Sequence, residues 1–433
     1  MPAEHTDLLL VADDLTGALD ASVPFRTHGM AVTVHLDGGP PPGGPGAGAA
    51  VTVLDTDTRH GDAEAADAAV RAALRGTGPA TTVVKKVDST LRGQVRAELA
   101  ALLAERPGPL VLAPAFPRAG RTTRDGVQHV HGRPLHTTDA WANEPAPPPE
   151  NIPALLAPLP TERVTLAAVR ADPGRLRATL LRDPGRPRVL ICDAETQDDL
   201  DRLAAAGQGV TLWAGAAGLA AALARRLSAA APPGDGAGGA DPFRHGGGAD
   251  PFRHGGALPP GRALAVVGSA SPVARGQADS LAAAGFATIT LDPHDLLAAD
   301  AAALRAVAAK VAGVAADGDT VVRLDSGRQV GPHLARRLCR RLADAVRTAL
   351  AGAGLVLVTG GETARAALPA AGVTGLEVLA ELEPGTVLSA ARAGRRAPDG
   401  AAPRHIITKA GGFGDADSLT RAVRLCRDGR TLL

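Results

Sequence analysis

Short apolar segments alternate with longer segments of helical pattern along most of the chain. The apolar segments include DLLLVA, TTVVKKV and PLVLAPA, and amphipathic stretches such as TLRGQVRAELAALLAE lie between them. Strands that are apolar on both faces and separated by helices are typical of parallel sheets covered on both sides. The pattern therefore predicts an α/β protein built from mainly parallel sheets flanked by helices.

The alternation stops between residues 231 and 261, where Gly and Pro are frequent and ADPFRHGGG is followed directly by ADPFRHGGA. His245 and His254 of this repeat are poor candidates for metal ligands, because a Gly-rich linker does not hold side chains in a fixed geometry. A duplication within a linker is the simpler interpretation. We predict two domains, 1–230 and 262–433, joined by a flexible linker at 231–261.

Beyond the linker, three predicted strands run directly into turns of small residues, in VVGSASPVARGQ, VTGGETARAAL and TKAGGFGDADSL. Small residues let backbone N–H groups approach phosphate oxygens at helix N-termini, where the helix dipole favours anions. One such turn is weak evidence because turns need glycine anyway, but three on one sheet edge, one of them with Lys409, predict a phosphate site. Neither the Walker pattern nor G-x-G-x-x-G occurs, which argues against a P-loop protein and a standard dehydrogenase.

Charge and composition exclude several classes of partner. The 433 residues carry a net charge of +1, only 2% are aromatic, and Tyr is absent. A near-neutral chain is not typical of a nucleic-acid or membrane-surface binder, and a sugar would have to be held by hydrogen bonds and charges. The three cysteines lack metal-type spacing, and we find neither a signal pattern nor a bilayer-spanning run. We expect a cytoplasmic protein without nucleic-acid or membrane partners.

Lysine is rare in this sequence. Among 46 Lys and Arg residues, only Lys85, Lys86, Lys310 and Lys409 are lysines. A retained lysine is either a chance surface residue or a functional one, because its compact ammonium is not equivalent to the planar guanidinium of arginine. Lys85 and Lys86 point to opposite faces if they lie in a strand, and parity with Asp88 selects Lys86 as the residue that faces a site.

Charged residues collect where predicted strands of the first domain end. Asp13 and Asp14 follow DLLLVA; either could cap a helix, while the pair could bind hydroxyls, hold Mg²⁺ or accept a proton. Arg59 follows another strand. The segment KKVDSTLRG combines a cation, an acid, a hydroxyl and a guanidinium, in Lys86, Asp88, Ser89 and Arg92. This mixture suits a small polyhydroxy acid whose carboxylate pairs with Arg92. Asp14 is our candidate general base, with Asp88 as the alternative.

Taken together, the motifs ADDLTGA, KKVDSTLRG, APAFPRAGRTT, DAET, GSAS, TGGETA and TKAGGFGD resemble those of the four-carbon acid sugar kinase family, and they are spread over nearly the whole chain. The resemblance implies an N-terminal sugar-acid domain and a C-terminal ATP domain, with the active site in the cleft between them. It implies phosphorylation of the terminal hydroxyl of threonate, erythronate or 3-oxo-tetronate, with ATP and Mg²⁺ as cofactors. A homodimer is possible, but the oligomeric state is left open.

The resemblance also carries binding residues over to this chain, while Asp14, Asp88 and Lys86 are the catalytic candidates from the residue types and their positions. The implied substrate-binding residues are Asp13, Asp14, Arg59, Lys86, Asp88, Ser89, Arg92 and Gly93. The implied nucleotide-binding residues are Ser269, Ser271, Gly360, Gly361, Glu362, Thr363, Lys409, Gly411 and Gly414. No metal ligand is assigned. Two positions depart from the family pattern: His131 stands where Asn is frequent, and Ala216 where Ser is common.

Two other functions remain open from the sequence. A kinase of a different small hydroxy acid would use the same motifs, because they define the chemistry more than the stereochemistry. A sugar-acid or nucleotide sensor without transfer activity is the alternative from another class. The intact acids and lysines of the first domain and the three small-residue turns of the second argue against the sensor.

Overall fold

The computed structural model describes residues 8–36, 50–142, 144–230, 261–269, 271–325, 327, 330–393 and 405–428. The chain divides into two compact α/β units, residues 1–242 and 243–433, so the predicted α/β class with two domains is confirmed. Except for Gly261, the predicted linker lies outside the described residues. The exact domain boundaries and the flexibility of the linker therefore stay predictions.

The N-terminal unit contains strands and helices in alternation. Its strands are β1 (Leu8–Ala12), β2 (Val32–His35), β3 (Val51–Asp55), β4 (Thr82–Lys86), β5 (Pro109–Ala113), β6 (Arg121–Arg124), β7 (Val127–Val130), β8 (Arg133–Pro134), β9 (Thr161–Val164), β10 (Arg188–Cys192) and β11 (Leu212–Gly215). Its helices are α1 (Leu15–Thr27), α2 (Ala63–Leu74), α3 (Val95–Glu105), α4 (Ile152–Leu156), α5 (Leu166–Val169), α6 (Pro173–Leu180), α7 (Gln197–Ala206) and α8 (Ala217–Ala230).

Apart from β6, β7 and β8, which form a separate antiparallel sheet, the strands of this unit form a parallel sheet in the order β2-β3-β1-β4-β11-β5-β10-β9. Strand β1 lies between β3 and β4, in register from Leu8 to Ala12. The chain leaves β1 towards one side of the sheet and later returns to its other side, so β1 is a switch point of the topology. The carboxyl ends of strands at such a point are where ligands bind in open α/β sheets.

Helices cover both faces of this sheet. Helix α1 packs against α8 and α8 against α7, whereas α2 packs against α3. The apolar core includes Leu9 and Val11 of β1, Val83 of β4, and Leu99 and Leu102 of α3, all of which are buried. Burial on both faces explains why these strands are apolar without strict alternation.

The two lysines of β4 point to opposite faces of the sheet, as the strand geometry predicts. Lys85 is fully buried, and its ammonium lies 3.0 Å from Oε1 of Glu98 on α3. Lys86 points towards α1, where its Nζ lies 3.2 Å from the place that a Cβ on Gly17 would occupy. Neither lysine is a solvated surface residue, because Lys85 is 0% and Lys86 5% exposed.

The C-terminal unit repeats this architecture. Its strands are β12 (Ala263–Val267), β13 (Ala287–Leu291), β14 (Thr320–Leu324), β15 (Leu355–Thr359), β16 (Val373–Glu383), β17 (Thr386–Ala393) and β18 (His405–Lys409). Its helices are α9 (Pro272–Ala283), α10 (Pro293–Ala298), α11 (Ala301–Asp317), α12 (Ala335–Gly352), α13 (Gly361–Ala370) and α14 (Ser418–Asp428). In the part of the chain that the structure describes, no helix has the length and apolar character needed to cross a membrane.

The strand order in this unit is β13-β14-β12-β15-β18-β17-β16. The first five strands are parallel, while β17 runs antiparallel to β18 and β16 antiparallel to β17. The neighbours β12, β15 and β18 are the strands that lead into the three small-residue turns. The sheet therefore brings these turns together at one edge.

The buried pair of Lys85 and Glu98 gives a prediction about stability. Glu98→Ala should lower the free energy of unfolding by about 3–5 kcal/mol, because it leaves the Lys85 ammonium without its carboxylate in the core. The double variant Lys85→Met, Glu98→Leu should recover most of this loss, because it removes both charges. Urea unfolding measures the effect, and an unchanged midpoint for Glu98→Ala would contradict the prediction.

Candidate functional site

Arg59 connects the ends of three neighbouring strands in the N-terminal unit. It lies just beyond β3, and its backbone N–H donates to the carbonyl of Asp13 beyond β1, at 3.0 Å. Its guanidinium donates through Nε and Nη2 to the Asp13 carboxylate and through Nη2 to Oδ1 of Asp14, at 2.7 Å. Nη1 lies 3.6 Å from Oδ1 of Asp88, beyond β4. One buried guanidinium therefore contacts all three predicted acids.

The two adjacent acids have different environments. Asp13 is buried, and although burial would raise the pKa of its carboxyl, Arg59 and the nearby lysines lower it to about 2. Asp14 is partly exposed and caps α1, where its Oδ1 accepts from the N–H of Gly17 at 3.2 Å. Both hydrogen bonds to the Asp14 side chain end on Oδ1. Asp13 thus holds Arg59 in place, while Oδ2 of Asp14 accepts no hydrogen bond from the described residues.

Asp88 is bound on both carboxylate oxygens. Arg92 donates to it through Nε and Nη2, each at 2.9 Å, and Thr90 donates through its N–H and hydroxyl. Burial would raise the pKa of Asp88, but Arg92, Arg59 and Lys86 hold it far below its usual range. Strand β4 ends at Lys86, so this turn, not strand parity, places Asp88. The proposed pairing of Arg92 with a substrate carboxylate stays a prediction, because Arg92 already forms this ion pair.

Gly93 lets the turn after β4 approach Arg59 closely. Its φ is +89°, a conformation that side chains disfavour. A Cβ there would lie 2.7 Å from Oδ2 of Asp13 and 3.2 Å from Cδ of Arg59. Glycine is therefore required at this position both for its backbone conformation and for space.

A hairpin formed by β6 and β7 supports the same turn. Nε2 of Gln128 on β7 donates to the carbonyl of Ser89 at 2.7 Å. Asp193, at the end of β10, accepts from the N–H groups of Asp125 and Gly126 at 2.9 and 3.0 Å. Trp141 donates through its indole N–H to the carbonyl of Thr90 at 2.7 Å. The hairpin thus fixes the backbone at Ser89 while the Ser89 side chain remains available.

Lys86 has a buried ammonium with incomplete hydrogen bonding. Its Nζ donates to the carbonyl of Val87 at 3.0 Å. Among the described residues, no carboxylate lies within ion-pair distance of it. An ammonium carries three N–H donors, and a buried charge without a partner is unfavourable. The position therefore fits an anionic or hydroxyl-bearing ligand.

The two departures from the family pattern lie in different settings. His131 is exposed and has φ +48° in the turn after β7, a left-handed conformation that Asn adopts more readily than most residues. Its N–H donates to the carbonyl of Gly120 at 2.7 Å. Ala216 is buried directly before α8. An effect of His131 on specificity stays a hypothesis.

The three small-residue turns of the C-terminal unit are in contact. Ser271 caps α9, and its hydroxyl donates to the carbonyl of Gly411 at 2.8 Å. A Cβ on Gly411 would lie 2.7 Å from Oγ of Ser269. The N–H of Gly360, which has φ +91°, donates to the carbonyl of Lys409 at 2.9 Å. These turns form a surface of closely spaced backbone groups with little side-chain bulk.

The remaining predicted nucleotide residues line the same edge. Helix α13 begins at Gly361. Oε2 of Glu362 lies 3.5 Å from Nε of Arg336, and Thr363 is buried. Gly414 has φ +75°. Nζ of Lys409 donates to the carbonyls of Ala410 and Phe413 at 2.8 and 2.5 Å, and burial lowers its pKa to about 8. Lys409 therefore shapes the turn that follows β18.

Sequence reasoning missed two residues of these sites. Asp20 on α1 lies on the same helix face as Gly17 and is half-buried. Phe413, in the turn after β18, is a large hydrophobic side chain that is 51% exposed, which is unusual among the described residues. Nothing in the sequence distinguished Asp20 from a surface acid of a helix, or Phe413 from a core residue.

Two family models match the chain. Residues 8–223 match the sugar-binding N-terminal domain, and residues 264–419 match the nucleotide-binding C-terminal domain. The charged site described above lies within the first match and the small-residue turns within the second. The division of chemistry between the two halves of the chain therefore agrees with the models.

Curated relatives align over nearly the full length. A D-threonate kinase of Cupriavidus necator is 35% identical and covers 98% of both chains. A D-threonate kinase of Bordetella bronchiseptica is also 35% identical, over 97% of this chain and 98% of the relative. A solved structure from Salmonella typhimurium, described as a putative tRNA synthase, has a TM-score of 0.74 at 23% identity and covers 96% of this chain and 98% of its own. This last likeness shows the fold alone.

The close approach at Gly93 gives a prediction with a matched control. Gly93→Ala should lower the free energy of unfolding by at least about 1 kcal/mol more than Gly76→Ala, because overpacking adds to the backbone strain. Gly76 has a similar φ of +79°, but a Cβ there meets nothing within 4 Å. Chemical denaturation of both variants measures the difference, and equal losses would contradict the close contact with Asp13 and Arg59.

Proposed function

The chain belongs to the four-carbon acid sugar kinase family, and we propose that it transfers the γ-phosphoryl group of ATP to the terminal, C4 hydroxyl of a four-carbon sugar acid. D-threonate is the acid we propose first, because two relatives with that name align over nearly the whole chain. Erythronate and 3-oxo-tetronate are the next candidates, since the site residues define charge and hydrogen bonding more than stereochemistry.

The observation that carries the proposal is the buried ammonium of Lys86, which lacks a carboxylate partner among the described residues. Lys85, one residue away, already has Glu98. An acid that brings a carboxylate, or a phosphoryl group in transfer, would supply the missing negative charge. Because Lys86 is almost fully buried beside Gly17, a wider guanidinium would not fit in its place.

Asp14 is the group we propose to orient the acceptor hydroxyl and take its proton. Its Oδ2 accepts no hydrogen bond from the described residues, whereas both oxygens of Asp88 are occupied and its lowered pKa makes it a weak base. In the transfer, the C4 oxygen forms a bond to the γ-phosphorus while the bond from that phosphorus to the β,γ-bridging oxygen breaks. The hydroxyl proton goes to Asp14, and ADP leaves with the electron pair. Such transfer depends mainly on positioning and charge stabilisation.

We propose that the nucleotide phosphates bind the small-residue turns of the C-terminal unit. The N-termini of α9 and α13 lie at these turns, where free N–H groups and the helix dipole favour anions. Mg²⁺ prefers phosphate oxygens supplemented by one or two carboxylates, so it would enter with ATP and neutralise charge on the phosphates. Among the described residues, no group of three or more His, Cys, Asp or Glu side chains forms a separate metal cage.

A coupled assay of ADP release tests the function directly. We expect ATP turnover that depends on one acid from a panel of D-threonate, L-threonate, D-erythronate and 3-oxo-tetronate. Lys86→Arg should lower kcat/KM for that acid at least about tenfold, because the larger group cannot occupy the same site. Lys310→Arg, on the exposed surface of α11, is the matched control and should match the wild type.

Circular dichroism and thermal melting establish that Lys86→Arg is folded. ATP turnover that no acid of the panel stimulates would overturn the proposed function. A folded Lys86→Arg variant with normal kcat/KM would overturn the role of Lys86 while leaving the kinase activity in place.

The contact between Gly411 and Ser269 gives a prediction for the nucleotide site. Gly411→Ala should raise the apparent KM for ATP at least about fivefold, because a Cβ displaces the turn or blocks the approach of phosphate. Gly352→Ala, at the end of α12 and away from these turns, is the matched control, because a Cβ there meets nothing within 4 Å. Steady-state kinetics at saturating acid measures both variants. An unchanged KM for folded Gly411→Ala would place the phosphates elsewhere.

A further inference from the structure

Asp20 lies one helical turn beyond Gly17 on α1, which Asp14 caps. Residues three apart on a helix are neighbours on one face, so Asp20 follows Gly17 along the same stripe. Gly17 has no side chain, and the place of its missing Cβ lies 3.2 Å from Nζ of Lys86. This stripe of α1 therefore faces the charged site beyond β1 and β4.

The carboxylate of Asp20 is half-buried and receives no hydrogen bond or ion pair from the described residues. Burial raises its pKa, and the charges that act on it are those of Lys86, Asp14 and Arg118. Asp13 and Asp88, by contrast, have arginine partners on both oxygens. Asp20 is therefore an acceptor without a donor that feels the charge of Lys86, and the Lys86 ammonium donates one hydrogen bond among the described residues.

A polyhydroxy acid supplies what each of these groups lacks. Its carboxylate brings negative charge to Lys86, and its hydroxyl groups bring O–H donors to Asp20. A phosphate group would be repelled by Asp20 and offers no donor when ionised, so the position suits the acid and not the nucleotide. Oδ1 of Asp14 is already bound to Arg59 and Gly17, so Asp14 has only Oδ2 to offer to the C4 hydroxyl. Asp20 is then a second carboxylate that can accept a hydrogen bond from another hydroxyl of the acid.

We propose that Asp20 is a specificity-determining residue that accepts a hydrogen bond from a secondary hydroxyl, at C2 or C3, of the four-carbon acid. This inference rests on the proposed function. Asp20 would select substrates that have this hydroxyl. An acid without the hydroxyl binds more weakly, because the Asp20 carboxylate is then left without a hydrogen-bond donor in the complex.

A thermodynamic cycle that combines variants of Asp20 with substrates that lack one hydroxyl tests the inference. Wild type, Asp20→Ala and Asp20→Asn are assayed with the full acid, with 3,4-dihydroxybutanoate, which lacks the C2 hydroxyl, and with 2,4-dihydroxybutanoate, which lacks the C3 hydroxyl. We expect Asp20→Ala to lower kcat/KM for the full acid at least about tenfold. For one of the two deoxy acids, the same variant should differ from wild type by less than about twofold, because the interaction is already absent.

Equal fold losses for Asp20→Ala with all three acids would overturn the inference, since a merely structural role does not depend on one hydroxyl. Glu64→Ala, on the exposed start of α2, is the control and should leave every value unchanged. Asp20→Asn keeps an acceptor oxygen but loses the charge, so it should retain part of the preference for the hydroxyl. If Asp20→Ala does not fold, Asp20→Leu, which has a similar shape and no acceptor, completes the cycle.

Binding measurements separate this inference from the proposed function. Calorimetric titration of the same acids into wild type and the Asp20 variants measures binding free energies, so the same comparison can be made without phosphoryl transfer. Binding that depends on one hydroxyl through Asp20, but without phosphorylation, would overturn the kinase activity and support the role of Asp20. Absence of any binding by wild type would overturn both.

Discussion

The buried guanidinium of Arg59 is the interaction on which the N-terminal site depends. It follows β3 and binds acids that follow β1 and β4, so it joins three adjacent strand ends through charge. Removing either side of such a buried pair leaves an uncompensated charge, which is strongly destabilising. The local stability of the sheet edge and the geometry of the site therefore rest on the same contacts. Gly93 belongs to this arrangement, because only a residue without a Cβ lets the turn after β4 pass so close to Arg59.

The two halves of the chain carry different kinds of residue at the same place in the fold. Both present the carboxyl ends of neighbouring parallel strands, which is the edge where ligands bind in such sheets. In the N-terminal unit this edge carries charged side chains that are bonded to one another. In the C-terminal unit it carries glycine and serine, packed so closely that a Cβ on Gly411 would lie 2.7 Å from the Ser269 hydroxyl oxygen. A small acid with several hydroxyls and a nucleotide with several phosphates require these two kinds of surface.

The alternation of apolar and helical segments predicted the α/β class, and the small-residue turns predicted the edge formed by β12, β15 and β18. The ion-pair partners of individual charged residues could not be predicted from the sequence. Lys85 pairs with Glu98, and Arg92 with Asp88, through turns and helix positions that a linear pattern does not specify. Strand parity did not extend to Asp88, because β4 ends at Lys86. Asp20 was hidden because a single acid within a helical pattern is usually a surface residue, and only the neighbouring Lys86 shows otherwise.

The ion pairs around Arg59 are formed between groups of the protein itself. In water, solvent dipoles must reorient whenever the charge on a reacting group changes, and this reorientation adds to the barrier of the reaction. Here Asp13, Asp88 and their arginines are fixed by the fold, so their orientation does not have to change when an acid arrives. The free energy needed to align these charges is therefore spent when the chain folds, once for each protein molecule, and not again in each turnover.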